Sequence, residues 1–229
     1  MAAIVWLLLL APFVIGLATQ RLVSREFVRY RGVPNHAGVT GTQVARTLLD
    51  AHGLRDVAIH AEPGTLTDNY DGEGRVLHLS DGVAGDRSVA ALGVAAHEVA
   101  HAYQDAEGSR AYRVRKAVAE PLSRFAPFSG IFFIGGFWLG VPILIVLSLV
   151  YLAGLVVFAL VTLPVELGAS RRALQLLHDT RLAGDEESRE IRRVLSAAAL
   201  TYFGGLLGNI GTFAALVFIA EAIRRGAGG

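Results

Sequence analysis

Three stretches of this chain carry no charged side chain: Met1 to Gln20, Phe125 to Val165, and Val194 to Ala220. A helix crossing the hydrocarbon layer needs roughly 20 mostly apolar residues, so the first and third stretches each suit one span and the second suits two. Gly135, Gly136, Gly140 and Pro142 fall near the middle of the second stretch, where glycine and proline let an apolar pattern turn back on itself. The pattern predicts a helical hairpin, at about 125–140 and 143–165. The first stretch reads as an uncleaved anchor, because no basic residue precedes the apolar run and no convincing small-residue cleavage site follows it.

The expected class is therefore a mainly α-helical integral membrane protein with about four transmembrane helices. The first is placed at 1–20, an α+β domain at 21–124, the transmembrane hairpin at 125–165, a helical segment at 166–196, and the last span at 197–223. A hydrophobic content of 53% agrees with that class. A net charge of +1, with no dense basic tract, argues against nucleic acid as a partner. The chain has no cysteine, so any metal must be held by histidine and carboxylate.

Within the polar region, Thr40 and Gln43 have the spacing of a capping box, ahead of an apolar face made by Val44, Leu48 and Leu49. Gly53 ends that helix. Val57 to His60 and Arg75 to Leu79 read as short strands between turn residues. Asp86 or Ser88 can cap a helix from about Val89 to Gln104, which is too short to span a bilayer and belongs to the polar domain. The segment after the hairpin is expected to be helical, with a break around Gly184.

The helix from Val89 carries His97-Glu98-Val99-Ala100-His101. Residues four apart lie one turn above each other, so both imidazoles can reach one tetrahedral zinc, while Glu98 points to the adjacent side as a general base for water. The plain alternative is a helix whose two histidines bond locally. A catalytic zinc takes three protein ligands and leaves a fourth position open. Glu166, His178, Asp179 and the pair Asp185-Glu186 are candidates for the third. Glu166 stands out as the first charge after the hairpin, on a narrow face with Ala169, Ser170 and Ala173; it could equally be an interfacial carboxylate beside Arg171 and Arg172.

Four blocks carry a resemblance: Leu66 to Asp71; Val94 to Gln104; Thr162 to Glu166 with Ala169 to Leu174; and Val194 to Tyr202. In order and spacing the chain resembles the bacterial YugP-type neutral zinc metallopeptidases of the membrane. The resemblance implies a small α+β zincin-like catalytic domain, zinc as cofactor, His97, His101 and Glu166 as ligands, and Glu98 as catalytic base. The chain departs from the family pattern where Ala100 replaces the glycine of HEVGH, and where Asn69 and Gly72 replace a histidine and a proline. The loop from Asp68 to Asp71 is accordingly read as no more than a turn.

The expected activity is peptide-bond hydrolysis by zinc-activated water, with membrane lipid and a protein or peptide substrate as partners; nothing in the sequence fixes an oligomeric state. The alternative is a catalytically silent scaffold or chaperone-like protein that keeps a structural zinc site, which would not need Glu98. A metal transporter would place ionisable residues inside its spans, and the uncharged stretches hold none. The strand at 75–79 is expected to be an edge that pairs with an extended substrate. His78 is a weaker candidate for substrate contact, and His178 for the oxyanion. Arg171 and Arg172 are expected to meet lipid headgroups. Gly204 and Gly208 are read as helix packing. The plasma membrane is the expected location, and the arginines at 21, 25, 29, 31, 124, 171, 172, 192 and 193 outnumber Arg224 and Arg225, so the catalytic side is expected to be cytoplasmic.

Overall fold

The computed structural model describes residues 2–226, in the order α1 (Ala2–Arg31), α2 (Gly41–Ala51), β1 (Ala58–Glu62), β2 (Asn69–Asp71), β3 (Val76–Ser80), α3 (Asp81–Ala84), α4 (Val89–Ala106), α5 (Arg110–Trp138), α6 (Pro142–Asp179) and α7 (Asp185–Gly226). These form two compact units: a first from Met1–Gln20, Arg113–Leu163 and Thr201–Gly229, and a second from Arg21–Tyr112 and Pro164–Leu200. The expected boundaries at 20/21 and 124/125 fall inside the continuous helices α1 and α5.

The second unit is built from local signals that a water-soluble domain would use. Thr40 Oγ1 accepts from the Gln43 amide at 3.3 Å and Gln43 Oε1 accepts from the Thr40 amide at 2.9 Å, so α2 opens on the expected capping box. Gly53 follows its end with φ 75°, a backbone angle that glycine adopts without a Cβ clash. Of the two proposed caps for α4, Ser88 fills the position, its hydroxyl accepting from Ala91 N at 3.2 Å. Asp86 accepts instead from Arg31 Nε at 3.1 Å. Val44, Leu48, Leu49, Leu77, Leu79, Leu92 and Ile191 close into one buried core.

The sheet has the order β1-β3-β2, with β1 parallel and β2 antiparallel to β3. Two expectations change here. β3 lies in the middle, with neighbours on both sides consuming its backbone groups, so it cannot be the edge that accepts an added strand; the edges are β1 and β2. The segment Asp68 to Asp71 is more than a turn, because Asn69–Asp71 is itself a strand. Asp68 ties it down by accepting from the Ser80 amide at 2.8 Å and from the Ser80 hydroxyl. Burial raises the Asp68 carboxyl above the usual range, against the lowering effect of the Ser80 bonds.

In the first unit α5 and α6 form an antiparallel pair joined through Leu139, Gly140 and Val141, with Gly140 at φ 64° and Pro142 opening α6. A Cβ on Gly136 would come within 2.9 Å of Ile145 N, and one on Gly154 within 2.8 Å of Leu122 Cδ2, so these glycines set how closely the two helices approach. α7 meets α1 through Gly204, Gly208 and Gly211, which face Ile15, Thr19 and Pro12. Among the described residues α6 and the Asp185–Glu221 part of α7 are long and apolar enough to cross a membrane.

Candidate metal centre

α4 and the part of α6 that follows Pro164 bring the site together within the second unit. Close approach of α4 to its neighbours is possible because small residues face them: Ala95, Ala96, Ala169 and Ala173 are fully buried. At Gly93 a Cβ would meet Ile191 Cγ2 at 2.8 Å.

His97 Nε2 lies 3.1 Å from Glu166 Oε2, and His101 Nε2 lies 3.4 Å from that same oxygen. The three donor atoms fall within 4.8 Å of one another and could hold a metal ion. A tetrahedral ion with ligands at about 2.0–2.1 Å needs ligand atoms about 3.4 Å apart, so the two measured separations suit such an ion. Two imidazoles and one carboxylate are the ligand set of many catalytic zinc sites. Glu166 is 2% exposed and His101 6%, so a charge placed between them is largely shielded from bulk water.

The back of each imidazole is also engaged. His97 Nδ1 lies 3.3 Å from Ser170 Oγ. His101 Nδ1 lies 3.1 Å from Gln104 Oε1, and Gln104 Nε2 donates to the Val165 carbonyl at 3.1 Å. That carbonyl can only accept, so it fixes the amide with its nitrogen towards Val165 and its oxygen towards His101. The oxygen in turn requires a proton on Nδ1 and leaves the Nε2 lone pair free for a metal. Gly168 leaves room for this amide, since a Cβ there would stand 3.3 Å from Gln104 Nε2.

Glu98, the residue after His97 on α4, is 8% exposed. Beyond it, Tyr70 donates to Asp105 Oδ2 at 3.1 Å, and the Tyr112 ring lies 6.2 Å from that of His101. Burial, followed by the Asp105 carboxylate, holds the Tyr70 phenol protonated well beyond the usual tyrosine range. It stays a neutral donor.

The other proposed third ligands lie elsewhere. His178 and Asp179 are exposed and pair with each other at 3.6 Å, outside the cluster of His97, His101 and Glu166. Asp185 and Glu186 are exposed at the start of α7. The next residue, Glu187, is 2% exposed and receives the His36 backbone amide at 2.8 Å. His78 contacts His60 edge to face at 5.9 Å and pairs with Glu62. Sequence reasoning assigned no role to Gln104. The available signal was its position three residues after His101, on the same helical face.

Residues 5–221 match a family model described as "Putative neutral zinc metallopeptidase". Among curated proteins, the chain is 39% identical over 188 residues to "Putative membrane protease YugP" of Bacillus subtilis (strain 168), covering 82% of this chain and 84% of that protein. No solved structure matches it. A family match over nearly the whole length, with a relative this similar, shows that the chain belongs to the family described as "Putative neutral zinc metallopeptidase".

Proposed function

We propose that this protein is a membrane-embedded zinc metalloprotease in which His97, His101 and Glu166 hold the ion and Glu98 is the general base. The observation that carries the reading is the convergence of both Nε2 atoms on one Glu166 oxygen, at 3.1 and 3.4 Å. The name of the Bacillus relative, a membrane protease, points the same way. Zinc bound there would supply Lewis acidity, lowering the pKa of water towards 7 and polarising a carbonyl.

The chain's own residues supply the rest. Glu98, rotated about 100° from His97 around the helix, takes the proton of the attacking water and returns it to the departing amine. Gln104 and Ser170 hold the imidazoles in the orientation that presents Nε2. β2 is an edge strand packed against α4, so a peptide laid along it in extended form gains backbone hydrogen bonds with little demand on its sequence. The second unit adopts a zincin-like arrangement, a helix carrying both histidines beside a small sheet. In this reading α1, α5, α6 and α7 each cross the plasma membrane, and the arginine distribution favours the cytoplasmic face for the site.

The test is cleavage of unfolded casein by purified protein, with and without a chelator, beside Glu98→Gln. Glu98→Gln should retain zinc and lose at least about 100-fold in rate. Cleavage by that variant at the wild-type rate would remove Glu98 from the mechanism. Full zinc with no cleavage by wild type would favour a structural metal in a silent scaffold.

A further inference from the structure

A cavity of about 250 Å³ opens in the second unit between α6 and α7, and Ser170, Arg171 and Arg192 line it together with Leu167, Leu195 and Ala199. We infer that it is a site for the headgroup of an anionic phospholipid, whose phosphate is held by Arg171 and Arg192.

Charge is the first ground. Arg171 donates Nε to the Leu167 carbonyl of its own helix at 3.2 Å, and neither it nor Arg192 has an ion pair among the described residues. The neighbouring arginines differ: Arg172 pairs with Glu107 at 3.2 Å and stacks over Tyr103, and Arg193 donates to the Tyr30 hydroxyl at 3.2 Å. No carboxylate lines the cavity. Two guanidinium groups on one cavity repel each other until an anion joins them, and a phosphodiester accepts from both. The expectation that Arg171 and Arg172 both meet headgroups therefore divides, with Arg192 taking the second place.

The second ground is the order of polarity along the helices. Leu167 follows the end of the uncharged 125–165 stretch by two positions and Arg171 by six; Arg192 precedes the uncharged 194–220 stretch by two, with Leu195 and Ala199 inside it. At about 1.5 Å per residue the two arginines stand about 9 Å and 3 Å from the apolar runs, within or just beyond a headgroup layer roughly 5–8 Å deep. Of the apolar lining, Leu167, Leu195 and Ala199 lie nearer the membrane runs than the arginines do, and Leu174 lies beyond Arg171. A lipid with its chains towards the apolar runs and its phosphate at the arginines matches the larger part of this lining.

Ser170 joins the cavity to the metal centre, since its hydroxyl lies 3.3 Å from His97 Nδ1. The inference rests on the membrane reading of α6 and α7 and not on the proposed hydrolysis.

The experiment uses the full chain in nanodiscs of equal phosphatidylcholine and phosphatidylglycerol, with native mass spectrometry counting the lipid each chain retains. Wild type should keep one phosphatidylglycerol in preference to phosphatidylcholine. Arg171→Gln/Arg192→Gln should lower that preference about thirtyfold, and Arg55→Gln/Arg87→Gln, which removes two exposed charges elsewhere, should leave it unchanged. Arg171→Lys/Arg192→Lys keeps the charge and should restore most of it, which separates loss of the site from loss of the fold. Retention that the double glutamine variant does not reduce overturns the inference. So does displacement of the lipid by millimolar inorganic phosphate, which would make the cavity a site for the free anion. Release of wild type from cell membranes by alkaline carbonate would refute the membrane reading itself, whereas an integral protein with no lipid preference refutes only this inference.

Discussion

The two units place their large apolar side chains in opposite environments. In the unit that carries His97, His101 and Glu166, Val44, Leu48, Leu49, Leu77 and Leu79 are all 0% exposed. In the other, Leu7 and Phe13 are 65% exposed, Ile131 66% and Val150 64%. Water does not tolerate contiguous apolar surface on that scale, whereas hydrocarbon does. The difference teaches that one sequence has been written for two solvents. The candidate metal site lies in the half that folds as if in water, and the other half presents apolar surface of the kind that hydrocarbon accepts.

The largest effect is expected in the buried core. Leu48→Ala should cost about 3 kcal/mol through lost transfer energy and a residual cavity, read as a lowered urea midpoint in neutral detergent. An unchanged midpoint would mean that this half is not packed as described.

A matched pair of exposed valines sharpens the comparison. Val28, 69% exposed, belongs to the second unit, and Val150, 64% exposed, belongs to the first. Exposure alone predicts equal tolerance to lysine. With two solvents, Val28→Lys should change stability by less than about 0.5 kcal/mol, whereas Val150→Lys should penalise membrane insertion by about 3 kcal/mol. Comparable insertion of the two variants, measured as the membrane-integrated fraction, would count against the lipid-facing half.

Smaller effects are expected behind the ligands. Gln104→Leu removes the amide that sets the His101 tautomer and should weaken zinc about 10- to 100-fold. Ser170→Ala loses a longer hydrogen bond and should weaken zinc only about two- to tenfold. Zinc competition titration reads both, and a reversed order would displace Gln104 from its positioning role.

What could be read in advance follows the range of the interactions. The His97/His101 pair, the Thr40–Gln43 box and the turn at Gly140 are set by neighbours in sequence, and each was legible there. β2 was not, because three residues become a strand only through their register against β3. Gln104 and Glu187 owe their places to partners 61 and 151 positions away. Arg171 and Arg172 look alike in sequence, yet the helix turns one into the cavity and the other onto Tyr103. No local pattern encodes that separation. Glu166 lies between these cases: its position after the hairpin made it a candidate, and the approach of α6 to α4 set it apart from His178, Asp179 and Glu186.

The central claim is that His97, His101 and Glu166 together hold one metal ion, and elemental analysis of purified variants tests it most directly. Wild type and Glu186→Ala should each carry about one zinc per chain, while Glu166→Ala, reduced to two of the three protein ligands, should carry little after dialysis. Full zinc occupancy in Glu166→Ala would contradict the account.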